Sequence, residues 1–164
     1  MNQKKVLFLT QAAMIAALYV VLTFIANALG IASGNIQVRF SEALTILPYF
    51  TPAAIPGLFA GCLLSNLLTG CALPDIIFGS LATLIGALLT YKLRQNKWLA
   101  PIPPIVSNAV IIPPVLLFAY GLRPLWFNFI TVTIGEIISC GVLGMLLLFA
   151  LKKYAGRLFN GQEA

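Results

Sequence analysis

Charge is almost absent from the interior of this sequence. From Val6 to Leu151 one apolar run follows another, and the basic residues fall mostly at their ends. Of its 164 residues, 60% are hydrophobic and 9% charged. Soluble domains carry about 25% charged residues. As a soluble protein, this chain would expose more apolar surface than stays dispersed. The sequence therefore predicts an all-α polytopic membrane protein embedded in the lipid bilayer. There is room for about six transmembrane helices of ~20 residues, and none for a separate soluble domain.

The runs read as spans over 6–27, 40–50, 53–68, 75–93, 102–120 and 125–151. Lys4 and Lys5 precede the first, but no cleavage site interrupts it, so it reads as a retained helix rather than a signal peptide. The second run is short. Asp75 stands at the expected N-cap of the fourth. Pro103, Pro104, Pro113 and Pro114 are expected to kink or break the fifth. No pair of matching halves of the inverted-repeat kind is visible. The short second run and the proline-rich fifth resemble discontinuous helices beside a site.

Six spans place both termini on one side. That side, with the loop over 92–100, holds Lys4, Lys5, Lys92, Arg94, Lys97, Lys152, Lys153 and Arg157; the other holds Arg39 and Arg123. The bias predicts cytoplasmic termini. It also assigns the net charge of +6 to membrane topology rather than to nucleic acid.

Three acids stand in or at the ends of apolar runs: Glu42, Asp75 and Glu136. A carboxylate at the centre of a membrane helix costs roughly 2.5–3.5 kcal/mol. Each needs a partner, a water-filled cavity or a ligand. Arg39 and Glu42 are three residues apart and neighbours on a helix. They read either as an ion pair at a helix mouth or as a site carboxylate with its pin. Thr45 and Tyr49 continue the Glu42 face. Glu136 is the deepest acid, about eleven residues or roughly 16 Å below the outer end of its span. Thr133 and Cys140 share its face. It is neutralised by a proton, bonded to amides, or open to a cationic or N–H-rich ligand. Asn66, Asn108 and Asn128 serve either as interhelical glue or as readers of a heterocycle edge. These polar groups concentrate in the outer half, which predicts a pocket open to the outside.

Several functions are excluded. Cys62, Cys71 and Cys140 have no metal-ligand spacing and there is no His, so no metal site is expected and the cysteines read as small apolar residues. There is no phosphate-binding glycine loop and no Ser/His/Asp arrangement. The chain reads as neither an ATPase nor any other enzyme, and as needing no cofactor. Small residues repeat at spacing four: Ala12/Ala16 and Ala13/Ala17 in the first span, Gly57/Gly61 in the third. Such faces pack helices internally or dock another membrane subunit.

The run Gln37–Phe50 (QVRFSEALTILPYF) resembles the signature of the QueT family, as do Ala54–Asn66 (AIPGLFAGCLLSN) and Asp75–Leu84 (DIIFGSLATL). Leu99–Pro104 (LAPIPP) with Asn108, and the pair Gly135-Glu136, extend the resemblance in order over nearly the whole chain. It implies a substrate-binding S component of an energy-coupling factor (ECF) transporter in a bacterial cell membrane. Such a component is a six-helix bundle with a pocket facing outward. Its partners are a membrane coupling subunit and two ATPases. Ala12, Ala13, Ala16 and Ala17 match the first-helix positions that contact the coupling subunit. The implied substrate is a queuosine precursor, a 7-deazaguanine with a cyano or aminomethyl group.

The residues suit such a base. Its N1–H and 2-amino group fit one carboxylate side by side, and Glu42 or Glu136 offers that acceptor. Asn66 and Asn108 suit the remaining edge, with Arg39 as the pin. Tyr49 or Phe40 supplies a stacking face, and Asp75 is a weaker candidate. Gly30–Arg39 is the expected lid. Two alternatives stay open: a self-sufficient proton-coupled transporter with Glu136 as carrier, and an S component for another vitamin-like heterocycle.

Overall fold

The computed structural model describes residues 3–31 and 38–159. Their regular structure is entirely helical. Helix α1 (Gln3–Ala28) leads to a 3₁₀ helix (Phe40–Tyr49), then α2 (Ala54–Leu68), α3 (Leu73–Lys92) and α4 (Ile102–Tyr120). The last pass is continuous over Leu125–Lys152. It comprises α5 (Leu125–Glu136), a π-helical stretch (Ile137–Leu143) and α6 (Gly144–Lys152). A short α7 (Ala155–Phe159) follows.

Among the described residues, four helices are long and apolar enough to cross a membrane: Gln3–Ala28, Leu73–Lys92, Ile102–Tyr120 and Leu125–Lys152. Helix α2, at 15 residues, is shorter. Large apolar side chains face outward on these helices, among them Met14, Leu18, Val21, Phe118, Trp126 and Phe129. Lipid, not water, is the solvent such a surface fits. Polar residues lie inside instead: Thr23, Ser41, Glu42, Thr45, Asn66, Asp75 and Asn108 are all buried.

Two helix pairs pack backbone to backbone. A Cβ added at Gly57 would fall 2.7 Å from the Ala12 carbonyl oxygen, and one at Gly61 would fall 2.7 Å from Tyr19 Cβ and 3.1 Å from Ala16 Cα. Glycine at both positions lets α2 lie directly on α1. Gly86 does the same for α3 on α4, where a Cβ would meet Pro104 Cα at 2.8 Å.

Three expectations are corrected. The run over 40–50 is not an α-helical span but a ten-residue 3₁₀ helix, roughly 20 Å long at ~2.0 Å per residue. Runs of 3₁₀ beyond about four residues are uncommon. This one is held from outside: Ser41, Glu42 and Leu44 to Pro48 are buried. Helix α4 is not broken by its prolines. Pro103 and Pro104 occupy its first turn, where the missing N–H has no helical partner to lose, and the helix runs on through Pro113 and Pro114. Asp75 is not an N-cap. Ala72 holds that position and Asp75 lies in the first turn of α3.

The basic segments share one end of the bundle. Trp98, in the α3–α4 connection, packs edge-on against Phe149 of α6, and Lys97 lies over both rings. Gln11 Nε2 of α1 donates to the Leu158 carbonyl at 3.0 Å, and Phe159 stacks on Phe50.

Candidate functional site

Five elements converge on one small interior cavity of about 30 Å³. Arg39 and Glu42 come from the 3₁₀ helix and its approach, and Cys62 from α2. Gly79 and Thr83 come from α3, Asn108 and Ile112 from α4, and Val132 and Glu136 from α5. The volume matches about one water molecule.

Glu42 is almost fully buried in it, with 3% of its surface exposed. Oε1 accepts a short hydrogen bond from the Tyr19 hydroxyl on α1. Oε2 is buried and has no hydrogen-bond partner. A buried oxygen without a partner costs about 1–3 kcal/mol, and more when charged. A ligand donor placed at that oxygen would remove the cost.

The second carboxylate stands close by. Cys140 donates its S–H to Glu136 Oε2 at 3.1 Å. One oxygen of each glutamate and Cys140 Sγ lie within 4.8 Å of one another. The 3₁₀ geometry and the π stretch meet here. Thr45 Oγ1 bonds the Glu42 carbonyl at 2.6 Å and lies 3.3 Å from Cys140 Sγ. The Arg39 amide donates to Ser139 Oγ at 3.2 Å. Thr23 Oγ1 bonds Ser41 Oγ at 2.9 Å, tying α1 to the same segment. A π stretch beside a buried acid is a common departure at functional sites.

The structure brings four of the sequence-predicted residues together: Arg39, Glu42, Asn108 and Glu136. Asn66 and Asp75 form a layer behind Gly79. A Cβ there would sit 3.1 Å from Asn66 Nδ2 and 3.6 Å from Asp75 Oδ1. Asn66 Nδ2 also lies 3.7 Å from Cys62 Sγ. Asp75 Oδ2 accepts from the Tyr120 hydroxyl at 3.2 Å, and that hydroxyl accepts from the Ala72 amide at 2.9 Å.

Other expected residues lie elsewhere. Tyr49 packs on Phe50 beside the cluster of Ile46, Ala100 and Leu148, away from the cavity. Phe40 is half-buried and does not line the cavity. Thr133 is turned to its own helix, bonding the Phe129 carbonyl. Asn128 bonds the Leu122 carbonyl and reads as glue. The alanine face of α1 divides: Ala12 and Ala16 lie against Gly57 and Gly61, while Ala13 and Ala17 are exposed. Of the expected lid, 32–37 lies outside the described residues.

Tyr19, Cys62 and Thr83 are site residues that sequence reasoning missed. Tyr19 had a signal, as a buried-type aromatic hydroxyl four residues from Thr23 in an otherwise apolar helix. Cys62 had none, since a lone thiol in an apolar run reads as packing.

A helical membrane bundle with a buried, carboxylate-lined pocket belongs among proteins that bind or move a polar solute through the bilayer. Residues 9–153 match the QueT transporter family, and the chain belongs to it. That family is one of transporters, not enzymes. A related protein of Lactococcus lactis subsp. cremoris (strain MG1363), the queuosine precursor transporter QueT, is 34% identical over 100 residues. The match covers 58% of this chain and 59% of the relative, so the chain spans a little over half the length of that protein. No solved structure matches the chain.

Proposed function

We propose that this chain is the membrane substrate-binding subunit for uptake of a queuosine precursor, a 7-deazaguanine bearing a cyano or aminomethyl group. ATP hydrolysis in a separate ECF module drives the uptake. The termini face the cytoplasm, following the basic-residue bias. The observation that carries the reading is the unpartnered Glu42 Oε2 facing a cavity shared with Glu136 and Asn108. A deazaguanine presents adjacent N–H donors on one edge, which suit a carboxylate. An aminomethyl substituent adds a cation for the second carboxylate. Family membership and the relative's name support the same substrate.

A bicyclic base does not fit a cavity of about 30 Å³. On this reading the small pocket is a closed one, and it must enlarge before the base can enter. Ala13 and Ala17, exposed on α1, are the positions left for a coupling subunit.

Equilibrium binding to the purified chain tests this. The ligands are 7-aminomethyl-7-deazaguanine, 7-cyano-7-deazaguanine, guanine and riboflavin. Saturable binding of a deazaguanine, with no uptake into liposomes unless the ATPase module is present, is the expected result. Uptake by the chain alone, driven by a pH gradient and lost in Glu136→Gln, favours the proton-coupled alternative instead. The close carboxylate pair is what keeps that second reading in view.

A further inference from the structure

We propose that Glu42, Glu136 and Cys140 form a site for a divalent cation of the zinc class, filled when the pocket is closed. Glu136 and Cys140 are four residues apart on one helix face, but Glu42 comes from nearly a hundred residues away, so the sequence does not announce the set of three. In the fold their ligand atoms lie within 4.8 Å of one another. Donors around tetrahedral zinc, at ~2.0–2.3 Å from the metal, stand roughly 3.3–3.7 Å apart. Side-chain movements of about an ångström would close the set.

Four features point to an ion rather than to packing. Glu42 Oε2 is buried, has no partner, and belongs to a residue lining the cavity. The cavity, at about 30 Å³, is large enough for one ion or one water. The charges balance: two carboxylates and a Cys140 thiolate offset Arg39 and one divalent ion. Without the ion, a proton on one of the two carboxyls must take its place for the buried charges to balance. Finally, the S–H that now bridges Cys140 to Glu136 Oε2 marks where the ion goes. Metal binding displaces that proton to solvent, as it does at other thiolate sites. A mixed sulfur and oxygen set selects zinc, cobalt or cadmium over magnesium or calcium. Three protein ligands leave a fourth position open for exchange.

One consequence rests on the substrate reading: metal and deazaguanine share Glu42 and Glu136 and exclude each other. The metal site itself does not depend on it.

The test is cobalt titration of the full-length chain in detergent, after chelator treatment, followed by absorption. One Co²⁺ per chain with a thiolate-to-cobalt charge-transfer band is expected. The band persists in Cys71→Ala and disappears in Cys140→Ser. Glu42→Gln and Glu136→Gln weaken binding by more than about tenfold. Cobalt binding without a thiolate band, or a band unchanged in Cys140→Ser, overturns the site. Zinc-edge X-ray absorption on the wild type needs no variant. It should show one sulfur at ~2.3 Å and the remaining ligands as oxygen or nitrogen at ~2.0–2.2 Å. No sulfur, or two, contradicts the assignment.

Discussion

Two of the interfaces in this bundle are built on opposite principles. Between α1 and α2 the contact is dry and made of small residues, with Gly57 and Gly61 against Ala12 and Ala16. Between the 3₁₀ helix and the last pass the contact is polar. Thr45, Cys140, Ser139 and the Arg39 amide bond across it, and both helices depart from α geometry. That seam leaves one carboxylate oxygen without a partner. The dry seam fixes α1 against α2; the polar seam is where the fold leaves bonding capacity unused. Tyr19 joins them, because it lies against Gly61 on one side and bonds Glu42 on the other.

Substitutions sharpen the contrast, and the largest effect belongs to the polar seam. Glu42→Gln should cost about 2–5 kcal/mol of substrate binding, the usual penalty for cutting a buried charged contact. The same change should raise the melting temperature of the ligand-free protein, since a neutral amide is cheaper to bury than a carboxylate. Binding isotherms and thermal unfolding measure the two halves. A variant that loses both binding and stability breaks the comparison.

Gly61→Val attacks the dry seam. Its new Cβ has no room beside Tyr19, so about 1–3 kcal/mol of stability should be lost. Thermal unfolding in detergent reads the loss, and an unchanged midpoint contradicts the backbone contact. Tyr19→Phe comes next, leaving a second Glu42 oxygen without its donor at a cost of about 1–3 kcal/mol. The smallest effect is expected from Ala13→Trp with Ala17→Trp. These positions are exposed, so binding should stay within about twofold of wild type, or under ~0.5 kcal/mol. Uptake with the module should be abolished. Loss of binding there would place α1's outer face in the core.

Much of this was readable before the fold was known. Helix order follows from apolar runs and flanking charge, and the bounds of α4, Ile102–Tyr120, coincide with the run read over 102–120. The convergence of Arg39, Glu42, Asn108 and Glu136 follows from the cost of burying polar groups. Local periodicity failed where the backbone left the α form. On an α-helix Tyr49 lies nearly over Glu42; at three residues per turn it falls about 120° away, while Thr45 stays eclipsed with Glu42. This accounts for Thr45 in the seam and Tyr49 outside it. The 3₁₀ form itself depends on burial between other helices, which no ten-residue window carries. Asp75 reads as a cap in the sequence because it follows Pro74, but the cap is Ala72, three residues earlier. Cys140 reaches the Glu42 carbonyl across 98 positions of sequence, a contact only the fold creates.

The central claim is that Glu42 and Glu136 hold one ligand between them. A double-mutant cycle tests it most directly, with 7-aminomethyl-7-deazaguanine binding to wild type, Glu42→Gln, Glu136→Gln and the double variant. Groups sharing a ligand couple by about 0.5–3 kcal/mol. The account predicts a coupling in that range, with each single change weakening binding. Two losses that simply add, or a Glu136→Gln protein that binds as wild type does, would contradict it.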